Sequence, residues 1–517
     1  MNFFDFHVHP TLKTLFGDKD HRLSPWENLD VRLIPDLLRW CTEFKYILRS
    51  QANLQQLIYN ECRLVCIALY APEHDIIDNQ LILNNADTGL RAYLSRVKLD
   101  KILSNAITPY DLIVNDDLKT LFDPAQFQVA DKKIVALAKA TDYDEKKEDT
   151  LYAVFSVEGC HTLSKQPLSQ IKSQEVIANL DDLRSRLTVL ALNLTHMEQS
   201  PLCNHAFGMQ FIPNDSFKPK GFGLSPEGGA IVKHCYQNKI MIDVKHMSVV
   251  ARTALYEMRR SVTFLPINQP IICTHAGFTG ISREKIFEYI YTFKNYADKP
   301  YVKLTMGKPA VNCTGPRPAF NTSSINLYDE DILEILRSDG MIGLSLDKRI
   351  LGFADRGANE NDYALEVEYI SARETAAFFK NQTIGQAFKR GDCIENKEID
   401  DVGPVNPRLG EYHLRHFMSH IVHLIKVCQS NNYDVSKALA QVCVGSDFDG
   451  MINPVWICDT IDHLAYFRKQ FEKEFVRFCN ACQVALPPGF KILSFAEDLF
   501  YKNGKDFVMA RLALMNP

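Results

Sequence analysis

Short apolar runs rich in β-branched residues recur along the chain, each bounded by polar or glycine-bearing segments. There are eight: FFDFHVH (3–9), CRLVCIALYA (62–71), LYAVFSVEG (151–159), LTVLALNLT (187–195), KIMIDVKH (239–246), PIICTHA (270–276), MIGLSLD (341–347) and QVCVGSDFDG (441–450). Near-continuous apolarity over so few residues predicts strands buried on both faces, as in a parallel sheet. Helical patterns fall between many of them, including SPEGGAIVKHCYQNK (225–239) and LYDEDILEILRSDG (327–340). In the first, Ser225 stands at the capping position, Pro226 at the first helical position and Glu227 in the first turn. Eight strands alternating with helices predict an α/β protein, a (β/α)8 TIM barrel.

Two stretches are too long for simple barrel connections: 74–150, after the second strand, and 350–410, after the seventh. Excursions of that length inside a barrel are usually lids or oligomer contacts. With no internal repeat and no low-complexity tract, the expectation is one elaborated barrel over 1–517.

Polar residues gather at the C-terminal ends of the runs: His7 and His9, Glu158, His196, His246, His275, and Asp447 with Asp449. In a barrel those ends converge on one face, where such enzymes carry out their chemistry. His7 and His9 are two apart on a strand, so both side chains point to one face and can share a cation. Glu158 follows a largely apolar run, and a carboxylate there needs a partner or a metal to offset its desolvation. With two oxygens it can bridge two metals. His246 and His275 close adjacent strands and are natural partners for a second cation. Asp447 ends the eighth strand and is the expected proton shuttle between attacking water and leaving amine. Asp449 reads as a turn residue before Gly450.

The remaining histidines read differently. His413, His416, His420 and His423 in HLRHFMSHIVHL form one helix stripe without a carboxylate at ligand spacing, so a structural role is expected. His161, His205 and His234 are not expected to be ligands, although His205 lies after the fourth strand, within reach of a substrate.

Composition narrows the class. A net charge of −5 offers no basic field for nucleic acid. The 14 cysteines are scattered without regular spacing, the pattern of free thiols in a reducing compartment. No apolar run of 18 residues and no secretory leader pattern occurs, so a cytoplasmic protein without a membrane partner is the expectation.

The segments FSVEGCHTL (155–163), LALNLTHMEQSP (190–201), GLSPEGGAIVKHCYQNKIMIDVKHMS (223–248), PIICTHAG (270–277), HIVHLIKV (420–427) and VGSDFDG (444–450) occur in an order that resembles the membrane (renal-type) dipeptidases, peptidase family M19 of the amidohydrolase superfamily. The resemblance spans nearly the whole chain outside the two long stretches. It implies a dipeptidase-like hydrolase with two zinc ions, bound by His7 and His9 on one side, His246 and His275 on the other, and bridged by Glu158. It further implies Asp447 as catalytic acid/base and His196 as the residue that binds substrate and steadies the tetrahedral oxyanion. Zinc would polarise the carbonyl and activate water. Some members pair as homodimers, so the resemblance allows a homodimer here.

Two departures matter. The family's first motif is His-x-Asp, whereas this chain has His7-Val8-His9. A neutral imidazole in place of a carboxylate makes the ligand set one unit less negative, which favours zinc over harder ions and a more acidic bound water. The family also carries an arginine just before an Asn-x-x-Asp segment, where it clamps the peptide α-carboxylate. Here Asn326 and Asp329 keep their places but the preceding residue is Ile325, which cannot supply a bidentate guanidinium. Arg283 and Arg317, in the lengthened loop, are the candidates to replace it. The leading expectation is a zinc-dependent hydrolase of dipeptides or related small amides. The alternative is an amidohydrolase of another C–N bond, in an N-acyl amino acid or cyclic amide, that needs no clamp. A barrel that only binds a ligand is the third reading.

Overall fold

The computed structural model describes residues 1–15, 24–29, 49–77, 96–123, 133–208, 214–314, 318–353, 365–380 and 407–516. Twelve strands occur among them: β1 Phe3–Val8, β2 Cys62–Leu69, β3 Lys133–Ala136, β4 Thr150–Val157, β5 Val189–Asn193, β6 Met241–Asp243, β7 Ile271–Ala276, β8 Ile290–Asn295, β9 Tyr301–Gly307, β10 Met341–Leu344, β11 Leu365–Ser371 and β12 Val442–Val444. Eight of these are the predicted runs. They pair in parallel in the order β1-β2-β4-β5-β6-β7-β10-β12. The ring closes where Val8 bridges Phe448: the Asp447 amide donates to His7 O and the His9 amide to Phe448 O, each at 2.9 Å. The barrel prediction holds. β3 lies beside the first half of β4, outside the ring.

Side chains alternate along the barrel strands between two apolar clusters, as the pleat requires. Every barrel strand gives at least one residue to the smaller cluster, which fills the lumen: Phe4, Leu64, Tyr152, Leu190, Met241, Ile272, Met341 and Cys443. Tyr501, Val508 and Leu512 near the C-terminus complete it at the strand-start end. The larger cluster lies between strands and outer helices, with Val65, Phe155, Leu192, Ile242, Cys273 and Ile342 facing Leu180, Ile231, Leu255, Ile335 and Ile421. Among the described residues the cysteines are buried, and no helix is long and apolar enough to cross a membrane.

The predicted capping is present and does more than start a helix. Ser225 Oγ accepts the Gly228 amide at 3.1 Å, with Pro226 opening the helix Pro226–Gln237. Glu227, in the first turn, also accepts the Ser173 amide at 3.0 Å and so ties down the start of the preceding helix, Ser173–Arg184.

A third excursion, between β7 and β10, carries the hairpin β8–β9. β11, from the stretch after β10, pairs antiparallel with β9, giving a three-stranded sheet in the order β11-β9-β8. Its core joins Ile290, Val302, Leu304, Met306 and Ile370 to Phe378 and Phe379. The runs IYTFKN and YVKLTMG alternate apolar with polar residues, the period of a sheet with one wet face. A search for fully apolar runs passes over them.

Candidate metal centre

The barrel brings His7, His9, Glu158, His196, His246, His275 and Asp447 together at the C-terminal ends of six strands. Glu158 is the hub. Its Oε1 lies 3.1 Å from His246 Nε2, 3.5 Å from His7 Nε2 and 3.6 Å from His275 Nε2, while Oε2 lies 3.3 Å from His9 Nε2. His7 and His9 Nε2 are 3.0 Å apart, as are those of His246 and His275 at 3.1 Å. Asp447 Oδ1 is 3.4 Å from His9 Nε2 and 3.9 Å from His7 Nε2. Three overlapping triplets have all donor atoms within 4.8 Å of one another: His7, His9 and Glu158; Glu158, His196 and His246; His7, His275 and Asp447. The triplets overlap without separating into the two pairs expected, because His196 shares a set with His246, and His275 one with His7.

The surroundings fix which nitrogen faces inward. His7 Nδ1 is 2.9 Å from Thr274 Oγ1, which donates in turn to Asp243 Oδ2 at 2.5 Å; His275 Nδ1 is 3.1 Å from the same hydroxyl. That arrangement lets Nδ1 of both rings donate to Thr274 Oγ1 and leaves each Nε2 aimed at the centre. Asp5 reinforces the seam, its Oδ1 accepting the amides of His7 at 3.1 Å and Ser446 at 2.8 Å. Backbone strain occurs here as well. His246 (φ 67°) and Asp447 (φ 63°) both occupy the left-handed region, which disfavours side chains with a Cβ. Gly450 has its own reason: a Cβ there would lie 2.3 Å from Asp447 Oδ1 and 2.8 Å from the His9 ring.

Charge within the cluster is polarised. Burial alone would raise the Glu158 carboxyl, but the imidazoles of His196, His7 and His9 hold it well below the usual carboxylate range. His196 moves the other way: against burial, Glu73 and Glu158 raise it to about 9. Burial and the neighbouring His196 charge push His246 down to about 3, and burial with His7 pushes His275 well below its ordinary value.

Several further residues complete the site. Glu73 accepts His196 Nδ1–H at 2.7 Å and the Met197 amide at 3.2 Å, and Tyr70 donates its hydroxyl to the same carboxylate. The signal was present, since Glu73 stands just past the end of a barrel strand as the other polar residues do. Thr274 and Asp243 gave none, because they lie inside apolar runs and only the closed barrel sets them against His7.

Other expectations resolve structurally. His205 is fully buried and donates to Phe217 O at 3.0 Å. His161 bonds Ala71 O and His234 bonds Asp181 on the surface. The helix stripe is structural: His413 accepts the Trp456 amide, His416 bonds Tyr412 O, His420 accepts the Phe278 amide, and His423 bonds Asp329. Asp449 is more than a turn residue. It is fully buried and accepts the amides of Gln51 at 2.7 Å and Ala52 at 3.1 Å, with Lys13 at 3.6 Å. Arg283 does not fill the clamp position, since its guanidinium donates to Thr253 and Ala377 O. Arg317 lies outside the described residues.

No family model matches the chain, and no curated protein does. Solved structures similar to it include a metallopeptidase from Rhodobacter sphaeroides liganded with a phosphinate mimic of the dipeptide L-Ala-D-Ala (TM-score 0.48, 13% identity, covering 99% of both chains). Two others are dipeptidase AC, a metallopeptidase of family M19 (0.45, 12%, 99% of both), and the probable dipeptidase PvdM from Pseudomonas aeruginosa (0.42, 14%, 90% of both).

Proposed function

We propose that this barrel is a zinc-dependent, binuclear hydrolase of dipeptides or related small amides. The observation that carries the reading is the ring of four imidazole Nε2 atoms around one buried carboxylate, 3.1 to 3.6 Å from its oxygens. Rings aimed at each other this closely either repel through their lone pairs or need positive charge among them. Cations satisfy all of them at once, so the donor set fits the metal. The two Glu158 oxygens face different imidazoles, which suits a carboxylate shared between two ions. When bound, zinc supplies Lewis-acid polarisation of the carbonyl and activation of water.

The chain's own residues do the rest. Asp447, at 15% side-chain exposure the most open carboxylate of the cluster, takes the proton from the attacking water and passes it to the leaving nitrogen. His196, its Nδ1–H committed to Glu73, directs Nε2 towards the reacting centre, 3.9 Å from Glu158, and stabilises the oxyanion as an imidazolium. Elemental analysis of purified protein should find one to two equivalents of zinc per chain, and a chelator should abolish amide hydrolysis until zinc is restored. Full activity in metal-free protein would end this reading.

A further inference from the structure

Three cysteines meet where the connection after β9 crosses the outer helices. Cys479 and Cys482 stand in Cys-x-x-Cys spacing at the end of the helix Leu464–Ala481, and Cys313 comes from about 170 positions earlier in the chain. Backbone hydrogen bonds hold this junction together. The Thr314 amide donates to Ala481 O at 3.2 Å, joining the residues that flank Cys313 and Cys482. On one side, the Val311 amide donates to Pro318 O at 2.9 Å and the Ala319 amide to His416 Nε2 at 3.3 Å, which seats the connection on the long helix Pro407–Ser430. On the other, the Cys482 amide donates to Phe478 O and the Val484 amide to Cys479 O, each at 2.9 Å, which closes the helix end.

Across the junction the thiols of Cys313 and Cys482 are hydrogen-bonded to each other. That contact, with burial, pushes the Cys482 thiol well above its ordinary value. Cys313 is 7% and Cys482 3% exposed, but the neighbours Asn312, Thr314 and Gln483 are exposed, so both thiols lie just beneath the surface. Cys479 is fully buried. The three sulphurs are not gathered as a cation cage: among the described residues, the groups whose donor atoms converge closely enough for a metal all lie in the barrel mouth.

We propose that Cys313 and Cys482 form a reversible covalent site, closed to a disulfide by a small disulfide such as oxidised glutathione. Cys313, flanked by exposed residues, loses its proton and attacks one sulphur of the oxidant, whose S–S bond breaks to release one glutathione thiol. Cys482, in contact with it, loses its proton and attacks the Cys313 sulphur of the mixed disulfide, displacing the second glutathione. The two cysteines give up two electrons and two protons, and the oxidant is reduced to two thiols. The bridge joins Cys482 to Cys313 and not to Cys479, because those two thiols touch and their flanking backbones are bonded to each other. Once closed, it ties the connection after β9 to the helix end and restricts the unfolded chain over a long loop. The proposal is independent of the hydrolase reading.

The test incubates folded full-length protein with oxidised glutathione, blocks remaining thiols with N-ethylmaleimide, and maps unreduced peptides by mass spectrometry. The Cys313 and Cys482 peptides should be linked in most molecules, and the melting temperature should rise by at least about 3 °C. Dithiothreitol should reverse both changes. Cys482→Ser should abolish both, as should Cys313→Ser, which serves if the helix-end variant does not fold. No bridge, a glutathione adduct alone, a Cys479–Cys482 bridge, or a bridge that leaves the melting temperature unmoved would each overturn the proposal.

Discussion

Two buried carboxylates on the same face of the molecule have opposite fates. Glu158, in the barrel mouth, is ringed by imidazoles and held well below the usual range despite its burial. Glu368, on β11 of the outlying sheet, is equally buried. One oxygen accepts the Ser324 amide at 3.0 Å, and the other has no hydrogen-bond partner among the described residues. Burial pushes it up to about 7, only partly opposed by Ser324 and Arg252. Desolvation is common to both, and the partners decide the sign. The barrel surrounds its carboxylate with groups that gain from negative charge, as a cation site requires, while the accessory sheet simply tolerates one.

The contrast can be broken by experiment. Glu158→Gln removes the hub. Zinc binding and turnover should fall well beyond the ~10–100-fold typical of losing a group that merely orients a ligand. Near-normal zinc content in that variant would dissolve the distinction between the two glutamates. Asp447→Asn should keep zinc and lose about 100- to 10,000-fold in kcat, the usual share of a positioned acid/base. Undiminished kcat would show that another group moves the proton.

Glu73→Gln should lower kcat by about 10–100-fold. Because Glu73 helps to raise the His196 pKa, its loss lowers that pKa, so activity should fall away at a lower pH on the alkaline side. An unshifted alkaline limb would mean that His196 does not act as an imidazolium.

Glu368→Gln is expected to act on stability and leave turnover unchanged. A carboxyl raised from an ordinary 4.5 to about 7 takes up a proton on folding. Stability therefore declines as pH rises through that window, by up to about 3 kcal/mol. The variant should melt higher than the parent at pH 8 and gain little at pH 4. A lower melting temperature at pH 8 would show that the ionised form is better satisfied than its contacts indicate.

The difference between barrel and sheet also explains what could be read in advance. A strand buried on both faces has an apolar run as its direct signature, so all eight barrel strands, and the polar residues that end them, stand out. β8 and β9 carry polar residues on a wet face and disappear into a long loop. Glu73 was one rule away from recognition. Asp449 looked like a turn residue because only its tertiary partners, Gln51 and Ala52, some 400 positions away, reveal a buried anchor.

By itself the sequence determined the periodicity of the barrel, the capped helix at Ser225, and which strand ends carry imidazole or carboxylate. These are local properties of neighbouring residues. Closure of the ring decided the rest. It set Thr274 and Asp243 behind His7, put Glu73 on His196, and brought Ile325 against Gly208 and Met197. Distance along the chain carries no information about such contacts, because they exist only once the barrel has closed.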